Sequence, residues 1–404
     1  MPSLLHINPE ARQWRYGGDA EAVSALEQRR QAVLTFHEHL PEYRKTPLRS
    51  LPSIANELGL GHVLLKDESS RFGLPSFKVL GASWAVYCAV RERVDQLEAL
   101  AQAITADDDP LLALSVLAGR VERVRQKLGD VKLITCTEGN WGRAVARMVG
   151  YLKLPAVVYV AAYMNETTRE LIRSEGALVI PVEGGYDGAA AAAKRAADED
   201  DNSLLVMDIG WEGYEKVPQR VVEGYQTMLD ESQKQVEELT GGKQATHAIV
   251  PAGCGSVAQA VTQHFKSLAS DKHPAATVIV VELDTAACLK LSLEKGEMTT
   301  VATGESIMCG MNCGTLSTTA WPVLRAGVDA SVVVSDADSH EAVEQLGEQG
   351  IRAGPCGAAS LAALRRACEL EMDALGLDGE SVVVLSAQRA PGSTRCPSKA
   401  MYVE

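Results

Sequence analysis

One lysine and a set of glycine-rich turns carry most of the chemistry legible in this sequence. Lys78 ends the run Ser76-Phe77-Lys78, after Arg71-Phe72-Gly73-Leu74-Pro75 and before an apolar-faced helical stretch, Val79–Val90. The positive end of a helix and an apolar edge both disfavour a charged amine. A neutral lysine amine attacks aldehydes and forms Schiff bases. The residue also reads as a surface lysine that lays its stem along apolar neighbours. Spacing alone leaves both readings open.

The glycine turns suggest an anion. His247–Ala260, HAIVPAGCGSVAQA, passes from an apolar strand through Gly253-Cys254-Gly255 into a helix. Glycine lets the backbone turn tightly, and amides at a helix start point outward at a phosphate. The same stretch fits the dinucleotide pattern loosely, as Gly253-x-Gly255-x-x-Ala258. Its acid, Glu282, lies beyond the spacing of about 20 residues that this pattern favours. A nicotinamide-dependent oxidoreductase is therefore the alternative from a different class. A second turn, Thr135–Arg143 (TCTEGNWGR), leads into a helix from near Trp141, and its amides suit a carboxylate as well as a phosphate. Gly310–Gly314 and Gly354–Gly357 are the third and fourth such turns. Together they suggest a ligand approached by backbone from several sides. Asp187 precedes the alanine-rich run Gly188–Ala197 and reads as its N-cap. Glu138 reads as a solvated loop carboxylate. The cysteines number nine and form no Cys-x-x-Cys; Cys309 and Cys313 lack nearby partners for zinc, so no metal is expected.

These residues need elements to hold them. Strand signals fall at Val63–Lys66, Lys132–Cys136, Ala156–Val160, Leu178–Pro181, Leu204–Met207, His247–Val250, Val278–Glu282, Ser331–Val334 and Ser381–Leu385. Helical stretches such as Ala82–Ile104, Trp141–Tyr151 and Gly255–Leu268 lie between them. The alternation predicts an α/β protein with mostly parallel sheets flanked by helices. A length of 404 residues with 46% hydrophobic side chains predicts two lobes. No proline-rich linker separates them, and Ala106–Pro110 reads as a solvated turn. A net charge of −14 argues against nucleic-acid and membrane partners. No leader or lipidation signal is read at either end, so a cytoplasmic location is expected.

Three blocks in this order and spacing resemble the pyridoxal-phosphate enzymes of the tryptophan-synthase-β fold, or fold type II. They are Ser76-Phe77-Lys78, Thr137-Glu138-Gly139-Asn140-Trp141-Gly142 and Gly253-Cys254-Gly255-Ser256. Within that family the chain is similar to the diaminopropionate ammonia-lyases. Lys66-Asp67-Glu68-Ser69, Arg71-Phe72-Gly73-Leu74, Leu80-Gly81, Trp211-Glu212-Gly213-Tyr214 with Pro218, Met308-Cys309-Gly310-Met311 and Gly354-Pro355-Cys356-Gly357-Ala358 carry that likeness.

The resemblance implies a role for each matching residue. Lys78 would hold pyridoxal 5'-phosphate as a Schiff base beside Phe77, and once freed would take the Cα proton. Asn140 would lie beside the cofactor's phenolic oxygen. The amides from Gly253 through Cys254, Gly255 and Ser256 to Val257 would bind the phosphate, with the Ser256 hydroxyl in support. Ser386 would face the pyridine nitrogen; a hydroxyl there weakens the electron sink and suits elimination better than transamination. Thr137, Gly139, Asn140 and Trp141 would grip the substrate carboxylate. Glu138 stands where the subgroup has an acid–base aspartate, and Trp141 where histidine is usual. Asp187 matches a second acidic position. The implied reaction removes ammonia from a 2,3-diamino acid such as 2,3-diaminopropionate and gives pyruvate. A serine or threonine dehydratase, a racemase or a β-replacement enzyme on the same fold is the near alternative. A large cofactor-binding domain over 1–99 plus 183–404, a small mobile domain over 100–182, and a homodimer are also implied.

Overall fold

The structure is a computed structural model. It describes residues 3–18, 20–101, 128, 130–268 and 274–387, with backbone alone at 20, 22, 95–101 and 387. The Ala106–Pro110 turn, the last residues of the Ala82–Ile104 helix, Cys396 and part of the 100–182 domain lie outside the described residues.

The chain divides into two compact units. Unit 1 comprises Met1–Leu26, Lys45–Arg71 and Met228–Glu404; unit 2 comprises Glu27–Arg44 and Phe72–Thr227. The segment 100–182, expected as the small domain, falls within unit 2, which extends further on both sides. The strands, in chain order, are β1 (Leu5–Ile7), β2 (Leu48–Ser50), β3 (His62–Asp67), β4 (Lys132–Thr137), β5 (Ala156–Ala161), β6 (Leu178–Val182), β7 (Ser203–Leu205), β8 (His247–Pro251), β9 (Thr277–Leu283), β10 (Ala330–Val334) and β11 (Val382–Ala387).

Unit 1 holds a sheet of order β1-β10-β9-β8-β11-β3-β2. Its five inner strands run parallel, and β1 and β2 close the edges antiparallel. Strands covered on both faces need apolar side chains at nearly every position. Accordingly β8 and β10 are buried throughout, and Val63, Leu65, Ile249, Ile279, Val281, Val332, Val383 and Leu385 join one core with the Pro355–Leu375 helix. Unit 2 holds a fully parallel sheet of order β6-β5-β4-β7. The alanine-rich run forms the helix Gly185–Asp198, and Ala189 and Ala193, four residues apart, pack on Ile134, Cys136 and Met207. The α/β class with mostly parallel sheets is thus as the sequence predicts.

Close helix packing in unit 2 fixes where Lys78 starts its helix. The helices Lys78–Ala101 and Lys216–Gly224 meet through two glycines. A Cβ on Gly81 would lie 2.7 Å from Tyr225 Cε1, and one on Gly224 would lie 2.4 Å from the Leu80 carbonyl oxygen. Any larger residue at either position pushes the helices apart.

Glu282 ends its run in the core of unit 1 rather than facing a ligand. Its carboxylate accepts the backbone N–H groups of Leu289 and Lys290, at 2.7 and 2.8 Å, and the Ser331 hydroxyl at 3.1 Å. Burial pushes its carboxyl up to about 7, against these hydrogen bonds. The folded state therefore keeps a proton that the unfolded chain releases above about pH 4.5. Stability then falls as pH climbs from the ordinary carboxylate range to about 7, and levels off above it. We expect the melting temperature of Glu282→Gln to decline less than that of the wild type between about pH 5 and about pH 8, as scanning calorimetry will measure.

Candidate active site

Unit 2 gathers one amine and three carboxylates. Lys78 is the first residue of its helix, and its Nζ donates to Asp208 Oδ2 at 2.8 Å. Cys136, wholly buried on β4, reports what else converges there. Burial pushes its thiol up, the Tyr186 side chain opposes, and the charges of Asp208, Glu138 and Asp187 push it further up. The charges of all three acids thus act at the C-terminal end of β4, the end where open α/β sheets place their ligands.

The loop after β4 is built around Thr137. Its Oγ1 accepts the backbone N–H groups of Gly139 at 2.8 Å and Gly142 at 2.9 Å. One of the amides expected to grip a carboxylate, that of Gly139, is therefore held by Thr137 itself. Gly139 sits at φ 142°, outside ordinary side-chain conformations, and the helix starts at Asn140, one residue before the expected Trp141. The Trp141 side chain turns inward: it is buried, and its Nε1 donates to Thr135 Oγ1 at 2.9 Å and to the Val206 carbonyl at 3.3 Å. The substitution for histidine thus anchors the loop from below. Phe77 lies edge-on to Tyr225, with ring centroids 5.2 Å apart.

Glu138 is not a solvated carboxylate. Burial raises its carboxyl above the usual range, and a hydrogen bond from the Tyr163 hydroxyl, at 3.3 Å to Oε1, pulls the other way. Asp187 does not cap its helix. The helix begins at Gly185 with Gly184 at the N-cap, so Asp187 stands in the first turn and its charge favours the positive helix end.

Unit 1 carries the glycine turn expected to cradle an anion. β8 ends at Pro251, and the helix Ser256–Ser267 starts after Gly255, which has a left-handed backbone at φ 94°. A Cβ on Gly255 would lie 3.0 Å from Leu324 Cδ1 and 3.1 Å from Ala320 Cβ, so conformation and space both demand glycine. A Cβ on Gly253 would lie 3.3 Å from Met311 Cα, so the Met308–Met311 block packs directly on this turn. The Ser256 hydroxyl lies 3.4 Å from Cys254 Sγ; Ser256 is buried and Val257 half-buried. The first amides of this helix have no intrahelical acceptor. Ser386 lies inside β11, and its carbonyl accepts the Ser360 hydroxyl at 3.0 Å.

Unit 1 also explains the Lys66-to-Arg71 block. Arg71 Nη1 and Nη2 donate to Glu231 at 2.9 and 2.7 Å, and its Nε and Nη2 donate to Glu68 at 2.8 and 2.6 Å. Lys66 Nζ reaches Glu231 at 2.9 Å, Gln235 at 2.8 Å and the Thr46 carbonyl at 2.8 Å. All four charged groups are buried.

Sequence reasoning missed Asp208 and Tyr163. Asp208 had a signal, since it follows the apolar run Leu204–Met207 as a ligand-facing acid would. Tyr163 had none, because its partner lies across two loops.

Comparison with known proteins agrees with these features. The family profile described as pyridoxal-phosphate dependent enzyme matches residues 39–387. A diaminopropionate ammonia-lyase of Salmonella typhimurium is 35% identical over 343 residues, covering 83% of this chain and 80% of its own. The crystal structure of the Escherichia coli diaminopropionate ammonia-lyase in complex with an aminoacrylate-PLP azomethine reaction intermediate superposes with a TM-score of 0.77 at 26% identity, over 96% of this chain and 93% of that one. The same enzyme in complex with D-serine matches equally well. Glu282, spent on helix amides, leaves the dinucleotide reading without its acid. With a lysine at a helix start and a glycine cradle before another helix, the chain belongs to the pyridoxal-phosphate dependent enzymes of fold type II, in the diaminopropionate ammonia-lyase family.

Proposed function

We propose that this protein removes ammonia from 2,3-diaminopropionate, releasing pyruvate and a second ammonia once water is added. The observation that carries this reading is the Lys78 amine paired with Asp208, in a chain of this family whose β4 end also feels the charges of Glu138 and Asp187. The residues fit a phosphorylated aldehyde. Gly253 and Gly255 keep clear a turn that a Cβ would fill, the following amides suit a phosphate, and Lys78 is an amine at a helix start.

Bound pyridoxal phosphate supplies an electron-withdrawing ring that makes the substrate Cα–H acidic. The chain's own residues do the rest. Lys78 Nζ is the amine that would hold the aldehyde, and, once free, it would accept the Cα proton from one face. Glu138 Oε accepts it from the other. The amides at the Asn140 helix start hold the substrate carboxylate, with Asn140 itself beside the cofactor ring. The Trp141 backbone serves there, since its side chain is committed inward. Asp187 balances the substrate's β-ammonium until that nitrogen departs. The Ser386 hydroxyl would face the ring nitrogen, where a hydroxyl makes a weaker electron sink than a carboxylic acid and suits elimination.

Release of ammonia and pyruvate tests this reading, with 2,3-diaminopropionate run beside serine, threonine and O-acetylserine. A decisive kcat/KM advantage for the diamino acid supports it; preference for serine or threonine replaces it with a dehydratase. Two faces need two bases, and the E. coli relative's complex with D-serine favours a site that admits a D-amino acid. We expect Glu138→Gln to lower kcat/KM for one enantiomer of 2,3-diaminopropionate by at least about 10²-fold, and for the other far less. Because burial raises the Glu138 carboxyl, activity toward the sensitive enantiomer should rise with pH through a limb above the ordinary carboxylate range. Equal loss for both enantiomers counts against this role.

We further propose a homodimer acting in the cytoplasm, on the family resemblance. Among the described residues no helix is long and apolar enough to cross a membrane. Sedimentation of the purified chain at two concentrations checks the dimer.

A further inference from the structure

Asp208 is held in place by more of the chain than a surface acid needs. The turn Trp211-Glu212-Gly213-Tyr214 folds back on the end of β7. The Tyr214 hydroxyl donates to the Leu205 carbonyl at 2.7 Å and accepts the Met207 N–H at 3.1 Å. Trp211 stacks on Tyr214 with centroids 4.3 Å apart, and the two residues form a β-bridge. Val206 and Met207 are core residues, and Asp208 itself is 6% exposed. A carboxylate that buried is costly without a cation. Its cation is Lys78 Nζ, at 2.8 Å.

We propose that Asp208 is a positioning residue for Lys78, fixing the Nζ and favouring its protonated form both in the resting chain and after it takes the Cα proton. The inference rests on the function given above to Lys78. Two consequences have opposite signs. In the resting chain the carboxylate holds the amine as an ammonium, which slows attack on an aldehyde. In turnover the Cα–H bond breaks, its electron pair stays on the substrate, and a new N–H bond makes Lys78 an ammonium. Asp208 then stabilises the species formed.

Among the described contacts, the carboxylate on Lys78 Nζ is that of Asp208. Cys136 on β4 and Tyr214 in the turn are both kept protonated by burial. Glu138 and Asp187 act on the same Cys136, whereas the Lys78 Nζ hydrogen bond goes to Asp208. Charged groups on the two helices packed against the Lys78 helix are engaged elsewhere. Arg143 and Arg147 pair with Glu175, Lys216 with Glu92, and Arg220 with Glu223.

The test needs no turnover. Full-length apo chain is mixed with pyridoxal phosphate from about pH 6 to about pH 10, and the rate of yellow colour and of borohydride-trapped label is recorded. In the wild type, capture rises with pH to a midpoint set by Lys78. Asp208→Asn should move that midpoint down by about one pH unit or more and speed capture below it. Asp208→Ser, a second neutral variant, should do the same, and Asp208→Glu should bring the midpoint back toward wild type. Loaded with cofactor, both neutral variants should turn over about tenfold or more slower, despite their faster capture. Identical midpoints in the wild type and the neutral variants overturn the inference while leaving the function intact. A wild-type chain that never captures the cofactor overturns both.

Discussion

Lys78→Arg should abolish turnover and covalent cofactor capture together, with a loss in kcat/KM of at least about 10³-fold. Arginine is the informative replacement because it preserves what is structural about the site. It keeps the positive charge that Asp208 needs, at 2.8 Å in the wild type, and it keeps a long apolar stem at the start of the helix. The fold should therefore survive, with a melting temperature within a few degrees of wild type. A guanidinium does not lose its proton in a protein, so it offers no lone pair to an aldehyde and no base to a Cα–H. Borohydride reduction followed by peptide mass spectrometry reads the covalent half: the wild type acquires one phosphopyridoxyl group on the Ser76-Phe77-Lys78 peptide, and the variant none. A stable label elsewhere in the variant, or turnover above a tenth of wild type, assigns the chemistry to another amine.

The sequence carried its strongest signals where one short segment is self-sufficient. Each of the nine expected strands is a run of β-branched or apolar residues bounded by turn formers, and each is found within a residue or two of its expected limits. The edge strands β1 and β2 were invisible because Leu5-His6-Ile7 and Leu48-Arg49-Ser50 are too short to show a period. The helix Gly185–Asp198 was expected from its alanines, but its start was misread: glycine at the N-cap moved Asp187 into the first turn. Trp141 and Glu138 were both legible as departures from the family pattern, whereas their consequences were not. Whether an indole faces ligand or core depends on Thr135 and Val206, which belong to different strand ends. Asp208 shows the same limit. Its pairing with Lys78 joins positions 130 residues apart, and no local pattern announces such a contact.

That limit is greatest at the Lys66–Arg71 block, whose role only the fold discloses, and it leads to the largest expected effect on stability. Arg71→Met should destabilise the protein by about 3–5 kcal/mol, lowering the melting temperature by about 5 °C. The reason is charge balance in a dry place. Two cations, Lys66 and Arg71, face two anions, Glu68 and Glu231, and all four are buried. Burial disfavours a charged Glu231, yet Arg71 and Lys66 outweigh it and hold its carboxyl at about 2. The stability so gained is present above the ordinary carboxylate range and is lost as pH falls toward 2. Removing Arg71 alone leaves two carboxylates to one ammonium. Removing Glu231 as well, as Arg71→Met with Glu231→Leu, restores a one-to-one balance of Lys66 with Glu68. The double variant should therefore melt above the single Arg71→Met variant, although it lacks one more native contact. If the losses simply add, the cluster acts as independent hydrogen bonds and not as a balanced ionic unit. If the double variant recovers stability, the block is a clamp that ties the Lys45–Arg71 segment to the Gln226–Thr240 helix. It then fixes the chain seven residues before the lysine on which the chemistry depends.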